Sequence, residues 1–245
     1  MRMKALYDRS KLFRWTVAIL FATALMALLV AAMFGTVGLL GLRVDNPAHL
    51  VFAQGLAVVL FLPIWMMIAG FLVAPLLRVV GHLKYYSPLL IVTRSSGSRL
   101  DLHGAMLFDY VLLFRWCDRG RPAVRKTMLW YIDGLIALAR DIERGRYPAD
   151  ITLSGTSYFF SESSAKRHGF RVEKGSRFAF GGFLTYPTQF LTYSFAQGRW
   201  ALPPILKAKN ATTNGATLCT RIPRLERVRK HLYNAQVQYG SERPG

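Results

Sequence analysis

Two long stretches near the N-terminus constrain this chain more than any other feature. Between Trp15 and Leu42 no residue is ionisable, and between Leu50 and Leu77 there is no Lys, Arg, Asp or Glu. Crossing ~30 Å of hydrocarbon takes about 20 apolar residues in a helix, and each stretch is long enough. In a bilayer every backbone N–H and C=O must be satisfied within the segment, which restricts such runs to helices. The first run is too long for a signal-peptide core, and no small-residue cleavage site with a polar start follows it. The polar break between them (Arg43, Asp45, Asn46, Pro47) completes a transmembrane hairpin with spans of 15–42 and 50–77.

The two spans differ in character. Ala18, Ala22, Ala24, Ala27, Ala31, Gly35 and Gly38 recur through the first, which suits close packing against another helix, either of a partner membrane protein or of a second copy of this chain. The second contains Pro63 and Pro75, and Pro63 predicts a kink. Orientation follows the basic flanks. Arg2, Lys4, Arg9, Lys11 and Arg14 precede the first span, and Arg78, Lys84, Arg94 and Arg99 follow the second before the first acid, Asp101. The connecting loop holds only Arg43, offset by Asp45. Both termini are therefore expected on the cytoplasmic side of a membrane, and a bacterial inner membrane is the expected location.

Charge enters the argument next. The 245 residues carry 32 Lys+Arg against 13 Asp+Glu, a formal net charge of +19. Such a surplus calls for a polyanion as partner. With a membrane hairpin present, phospholipid head groups account for it without nucleic acid. The two cysteines, Cys117 and Cys219, have no Cys/His cluster at metal-ligand spacing, so neither a zinc site nor any cofactor is expected, and both thiols are read as small buried hydrophobes.

Beyond the hairpin, residues 78–100 read as a basic juxtamembrane linker containing a short strand, Leu89–Thr93, and a turn at Ser95-Ser96-Gly97-Ser98. A cytosolic α+β domain is expected over 101–232, with 1–14 as a basic N-terminus and 233–245 as a disordered tail. Residues 105–117 are apolar almost all round, and their length favours a buried helix. The clearest element is 122–144: Val124, Met128, Tyr131 with Ile132, Leu135, Leu138 with Ala139, and Ile142 recur at helical period, Pro122 suits the first turn and Gly145 the stop. Arg121, Arg125 and Lys126 stand at the unfavourable end of its dipole. A strand at Ile151–Gly155, a loop, a short helix with Ser161 as N-cap and Gly169 as stop, and a strand at Phe170–Glu173 follow. Residues 178–198 are uncharged and crowded with aromatics, consistent with a core segment or with one dipping into the head-group layer. Arg221–Lys230 reads as a short basic amphipathic helix.

Candidate chemistry gathers at two places. His103 precedes Asp109 by six residues, and an imidazole near a carboxylate is the general-base pattern. Ser154, Gly155, Thr156 and Ser157 form an SGTS run after a strand, where hydroxyls and backbone N–H groups can meet an anion. The run is neither a Walker loop nor a G-x-S-x-G nucleophile elbow. Arg78, Lys84, Arg94, Arg99, Arg177, Arg199, Lys207 and Lys209 are the candidate membrane-surface residues, and from Lys174 to Arg224 no acid occurs at all. The segment Ser164–Phe170 resembles the helix–Gly-Phe–strand ending of the GNAT acetyltransferases over fewer than a dozen residues. The Q/R-x-x-G-x-G/A loop of that family is absent, and the family is not assigned on this resemblance.

Two functions are compatible with these features. One is a membrane-anchored module whose basic domain lies on the membrane and binds anionic head groups or an acidic partner, within an envelope assembly or transport system. The alternative is a membrane-tethered enzyme acting on a lipid-linked or acyl substrate. A nucleic-acid binder ranks last, because no recognised motif accompanies the charge.

Overall fold

The computed structural model describes residues 83–104, 109, 110, 113–157, 162–174, 186–204 and 209–241, together with 16, 19, 20, 23, 24, 26, 27, 30, 31, 35, 48, 49, 51, 52, 55 and 56 of the N-terminal region. The chain divides into two compact units, Met1–Val79 with Leu184–Pro187, and Val80–Phe183 with Thr188–Gly245.

In the first unit, most of the two expected spans lies outside the described residues. Those described there are helical. Ile19, Leu20, Val51 and Phe52 expose more than half of their surface. The Thr23 hydroxyl donates to the Ile19 carbonyl at 2.9 Å, one turn back, which satisfies it within its own helix. Among the described residues no helix is long and apolar enough to cross a membrane.

The second unit is α+β. Its strands are β1 (Lys84–Tyr85), β2 (Leu90–Ser96), β3 (Arg99–Gly104), β4 (Thr152–Ser157), β5 (Arg171–Lys174) and β6 (Lys209–Asn214). Its helices are α1 (Arg121–Glu143), α2 (Glu162–Arg167), α3 (Tyr186–Gln197), α4 (Gly215–Thr220) and α5 (Ile222–Ser241). The sheet order is β1-β2-β3-β4-β6-β5. Only β3 and β4 run parallel, so the chain crosses between them through α1. The turn expected at Ser95–Ser98 is the β2–β3 hairpin, with a register shift between Arg94 and Ser96.

Period-two alternation gives the sheet an apolar and a polar face. Leu90, Val92, Leu100 and Leu153 point to one side and form one core with Ile132, Leu135, Ile136, Leu138, Ala139 and Ile142 of α1, Leu218 of α4 and Leu225 of α5. Thr93, Arg99, Asp101, His103, Thr152, Ser154, Thr156 and Asn210 occupy the other parity. Gly134 is where α1 lies closest to the sheet: a Cβ there would stand 2.7 Å from Leu90 Cβ. A second core joins Leu89, Phe114 and Ala123 to Tyr110, Trp130 and Phe195. The Phe114 ring lies 5.2 to 5.6 Å from the rings of Tyr110, Trp130 and Phe195. The described end of the uncharged aromatic stretch thus contributes Phe195 to the domain interior.

Several expectations are corrected. Thr156 and Ser157 belong to β4 rather than to a loop. Its pairing with β6 carries on through Ser157↔Lys209. The C-terminal helix runs to Ser241, beyond residue 233 where a disordered tail was expected, since no proline interrupts the segment that follows Pro223. Cys117 is exposed rather than buried.

Candidate functional site

Parallel strands β3 and β4 are paired from Arg99↔Thr152 to Leu102↔Gly155. There the ladder ends, although neither strand does. β3 continues through His103 and Gly104, held by Ile91 and Leu90 of β2. β4 continues through Thr156 and Ser157, held by Asn210 and Lys209 of β6. The two strands therefore part inside the sheet, and the last two residues of each are no longer paired across the interval termed the opening. Gly155 sits at the fork: a Cβ there would lie 3.2 Å from both Leu102 Cβ and the Leu102 carbonyl oxygen.

The fork brings together two places that look unrelated in sequence. His103 stands on one lip and Thr156, next to the buried Ser154, on the other. His103 Nε2 and Thr93 Oγ1 are hydrogen-bonded at 2.9 Å. Desolvation lowers the imidazole pKa below its ordinary 6.5, and the Asp101 charge opposes that shift without reversing it. His103 itself is an exposed residue of β3, and the neutral imidazole is the form able to accept a proton. On the helix side, the Tyr131 hydroxyl lies over Gly104, 2.5 Å from where a Cβ would be. Tyr131 was read as part of the apolar stripe of α1. Nothing in the sequence separates it from Met128 or Leu135, since only the fold sets its hydroxyl against Gly104.

Asp109 is not the partner of His103. It is buried, and its Oδ2 accepts a hydrogen bond from the Tyr85 hydroxyl at 3.1 Å. The carboxylate that acts on the imidazole is Asp101, two residues back on the same strand face. Asp101 in turn pairs with Arg99 at 2.9 Å. Arg99 also donates to Ser154 Oγ at 3.1 Å, and Ser154 Oγ donates to Asn210 Oδ1 at 3.2 Å. Ser154 is therefore committed to a polar relay across β3, β4 and β6. Of the SGTS run, Gly155 and Thr156 border the opening, and Ser157 continues its edge.

The candidate membrane-surface residues divide by the company they keep. Lys84 donates to Asp141 at 3.0 Å and lies over the Tyr86 ring at 4.6 Å. Arg99 serves Asp101 and Ser154, and Lys209 pairs with Glu162 at 3.0 Å. These three form ion pairs within the domain while their side chains stay 40–48% exposed. Arg94 reaches the Gly97 carbonyl at 3.4 Å. Arg199 is exposed beside Trp200 and Leu202, which are 72% and 70% exposed. Trp200 stacks on Phe190 of α3 with ring centroids 5.6 Å apart. Arg78, Arg177 and Lys207 lie outside the described residues.

Comparison of the chain with protein-family models, with curated proteins and with solved structures finds no match.

Proposed function

We propose that this chain is a membrane-tethered enzyme acting on an acyl or lipid-linked substrate, with its site in the opening between β3 and β4. The observation that carries this reading is the end of pairing between the two parallel strands after Leu102 and Gly155, with the His103 imidazole on one lip. In open sheets, ligands bind beyond the carboxyl ends of parallel strands, at the point where the topology changes. Here two strand edges face each other across a gap, and an extended substrate bearing amides can pair with such edges as an added strand does. His103 would then take the proton from an attacking amine or hydroxyl as general base.

A second feature supports a phosphate-bearing carrier for the acyl group. Helix α1 leaves the C-terminal end of β3 and returns to the start of β4, so its N-terminus lies at the same end of the sheet as the opening. That N-terminus follows Gly120, at φ 85°, and has no side-chain cap. Arg119 and Arg121 flank it. An uncapped helix start with basic residues beside it is suited to an anion. The segment Ser164–Phe170 also resembles the helix–Gly-Phe–strand ending of the GNAT acetyltransferases over fewer than a dozen residues. That local resemblance points to a chemistry without identifying a substrate.

The test uses the full chain in lipid nanodiscs, with thiol release from short- and long-chain acyl-coenzyme A measured with and without an aminophospholipid acceptor. Transfer is expected to fall ~10²–10⁴-fold in His103→Ala, the range for loss of a general base. Transfer unchanged in His103→Ala would remove that residue from the mechanism, and no thiol release with any donor would remove the acyl-thioester reading.

The alternative reading, a head-group-binding module, is favoured by one feature, the exposed Arg199-Trp200-Ala201-Leu202 segment after α3. An exposed aromatic and an exposed leucine next to a cation suit insertion at the level of lipid head groups. The two readings are compatible, since such a contact would hold the opening near a lipid-borne substrate.

A further inference from the structure

At the opposite end of β4 from the opening, a second basic site is built from three helices. Residues Arg167, His168 and Gly169 end α2, and Arg221 and Arg224 stand at the junction of α4 and α5. Gly169 is fixed there by the Thr213 hydroxyl, which donates to its carbonyl at 2.8 Å, and Thr213 pairs with Leu153 near the start of β4. Gly169 has φ +85°, and a Cβ on it would meet Thr217 Cγ2 at 2.9 Å and Arg221 Cγ and Nε at 3.4 Å. The Arg221 side chain is therefore laid directly over the glycine.

His168 is surrounded by like charge. After desolvation, the charges of Arg224, Arg167 and Arg221 are what depress its pKa. Two buried nitrogens of the cluster, His168 Nδ1 and Arg221 Nε, have no hydrogen-bond partner among the described residues. Glu143 is close enough to act on the Cys219 thiol at this junction but pairs with none of these arginines, and four other acids are engaged elsewhere. Glu162 serves Lys166 and Lys209, Glu173 serves Arg171, Glu226 serves Arg140, and Asp133 serves Arg229. Among the described residues no carboxylate pairs with Arg167, Arg221 or Arg224. Buried polar groups in native proteins find partners, and a buried guanidinium nitrogen without one is a place where an anion is called for.

We propose that Arg167, His168, Arg221 and Arg224 form an anion site that takes a phosphate group, separate from the opening between β3 and β4. Guanidinium groups match phosphate oxygens in fork geometry, and several converging on one point favour a phosphate over a single carboxylate. The phosphate group is supplied either by a soluble monoester or by a phospholipid head group, and the same side chains would hold either.

The full chain is reconstituted in nanodiscs of phosphatidylcholine and titrated with inorganic phosphate at constant ionic strength, then reconstituted again with phosphatidic acid replacing part of the lipid. Saturable binding of phosphate, with a rise of the His168 pKa followed by NMR, is expected for a soluble ligand. A His168 response to phosphatidic acid alone identifies the lipid as the source. In either arm Arg221→Gln or Arg224→Gln weakens the response at least tenfold, and Lys230→Gln, on the exposed flank of α5, leaves it unchanged. If Arg221→Gln fails to fold, Arg167→Gln at its exposed position carries the same expectation. No response to either probe, or equal responses in the wild type and the arginine variants, overturns the proposal.

Discussion

Asp141 shows what one buried carboxylate organises in this domain. It lies on α1, yet its Oδ2 receives Lys84 at 3.0 Å, the Tyr86 hydroxyl at 2.9 Å and Arg146 at 3.1 Å. Burial by itself would raise its pKa, but the hydrogen bonds from Lys84 and Tyr86 and the charges of Lys84 and Arg146 overcome this and hold it below 3.8. The same contacts, after burial and the Tyr147 hydrogen bond, push the Tyr86 phenol upward. Replacing Asp141 with Asn keeps the shape and removes the charge. The side chains of Lys84 and Arg146 are 45% and 59% exposed, so both return to water. The cost is then expected at about 1–3 kcal/mol, set by imperfectly satisfied Tyr86 rather than by a stranded buried ion. Because the folded pKa of Asp141 is depressed, its stabilisation is present at neutral pH and lost as pH falls through the folded value, below 3.8. His103 and His168 have the same slope for a different reason: both are lowered from 6.5, so the folded state binds fewer protons and loses stability as pH falls below that value. Urea unfolding at pH 7, 5 and 3 should show two separate decreases in wild type and a smaller low-pH decrease in Asp141→Asn, the remainder coming from Glu162, which Lys166 and Lys209 hold down at about 2. A variant with an undiminished low-pH decrease would show that Asp141 is not its source.

The elements explain what was legible in the sequence. Helix α1 was read as 122–144 and is Arg121–Glu143, because a regular apolar stripe, Pro122 and Gly145 all agree; Gly145 has the expected positive φ of 75°. Strand β3 was not read, although Leu100 and Leu102 alternate with Arg99, Asp101 and His103, because so short a polar-rich run looks like linker. Strand β6, KNATTN, was invisible: its inward residues, Ala211 and Thr213, are too small or too polar to mark a face. Without β3 and β6 the parting of β3 and β4 could not be foreseen, and so neither could the placing of His103 and Thr156 on its two sides. Gly134 tests the helix–sheet contact directly. Gly to Ala in a helix interior gains about 0.8–1.0 kcal/mol of propensity. Here the new methyl would meet Leu90 at 2.7 Å and Ser87 Oγ at 3.0 Å, and overpacking costs about 1–3 kcal/mol. Gly134→Ala should therefore be net destabilising by about 1 kcal/mol, the difference of those two terms. A rise in Tm would mean that α1 can move off β2 without cost.

At the scale of the whole molecule, the proposed hairpin and its N-in, C-in orientation set which side of the membrane the opening and the phosphate site serve. The charge of +19, which already subtracts all 13 acids from 32 Lys+Arg, is consistent with a cytoplasmic domain beside an anionic leaflet. Lys84, Arg99, Lys126, Arg140, Lys166, Lys209 and Arg229 all hold carboxylates. Contact with the membrane surface would rest on the surplus cations, with Arg199, Trp200 and Leu202 the strongest described candidates. The native thiols provide a direct test of sidedness. Cys117 is exposed in the α+β unit, whereas Cys219 is half-buried and its thiol donates to the Ala139 carbonyl at 3.4 Å. Desolvation raises the Cys219 pKa, which slows its reaction further. In a Cys219→Ser background, a membrane-impermeant maleimide applied to intact cells should leave Cys117 unlabelled and should label it once the membrane is opened. An added Arg43→Cys, in the loop between the proposed spans, should react in intact cells. Labelling of Cys117 in intact cells would place the α+β unit, and with it both proposed sites, on the outer face of the membrane, where neither the basic flanks nor the head-group argument would hold.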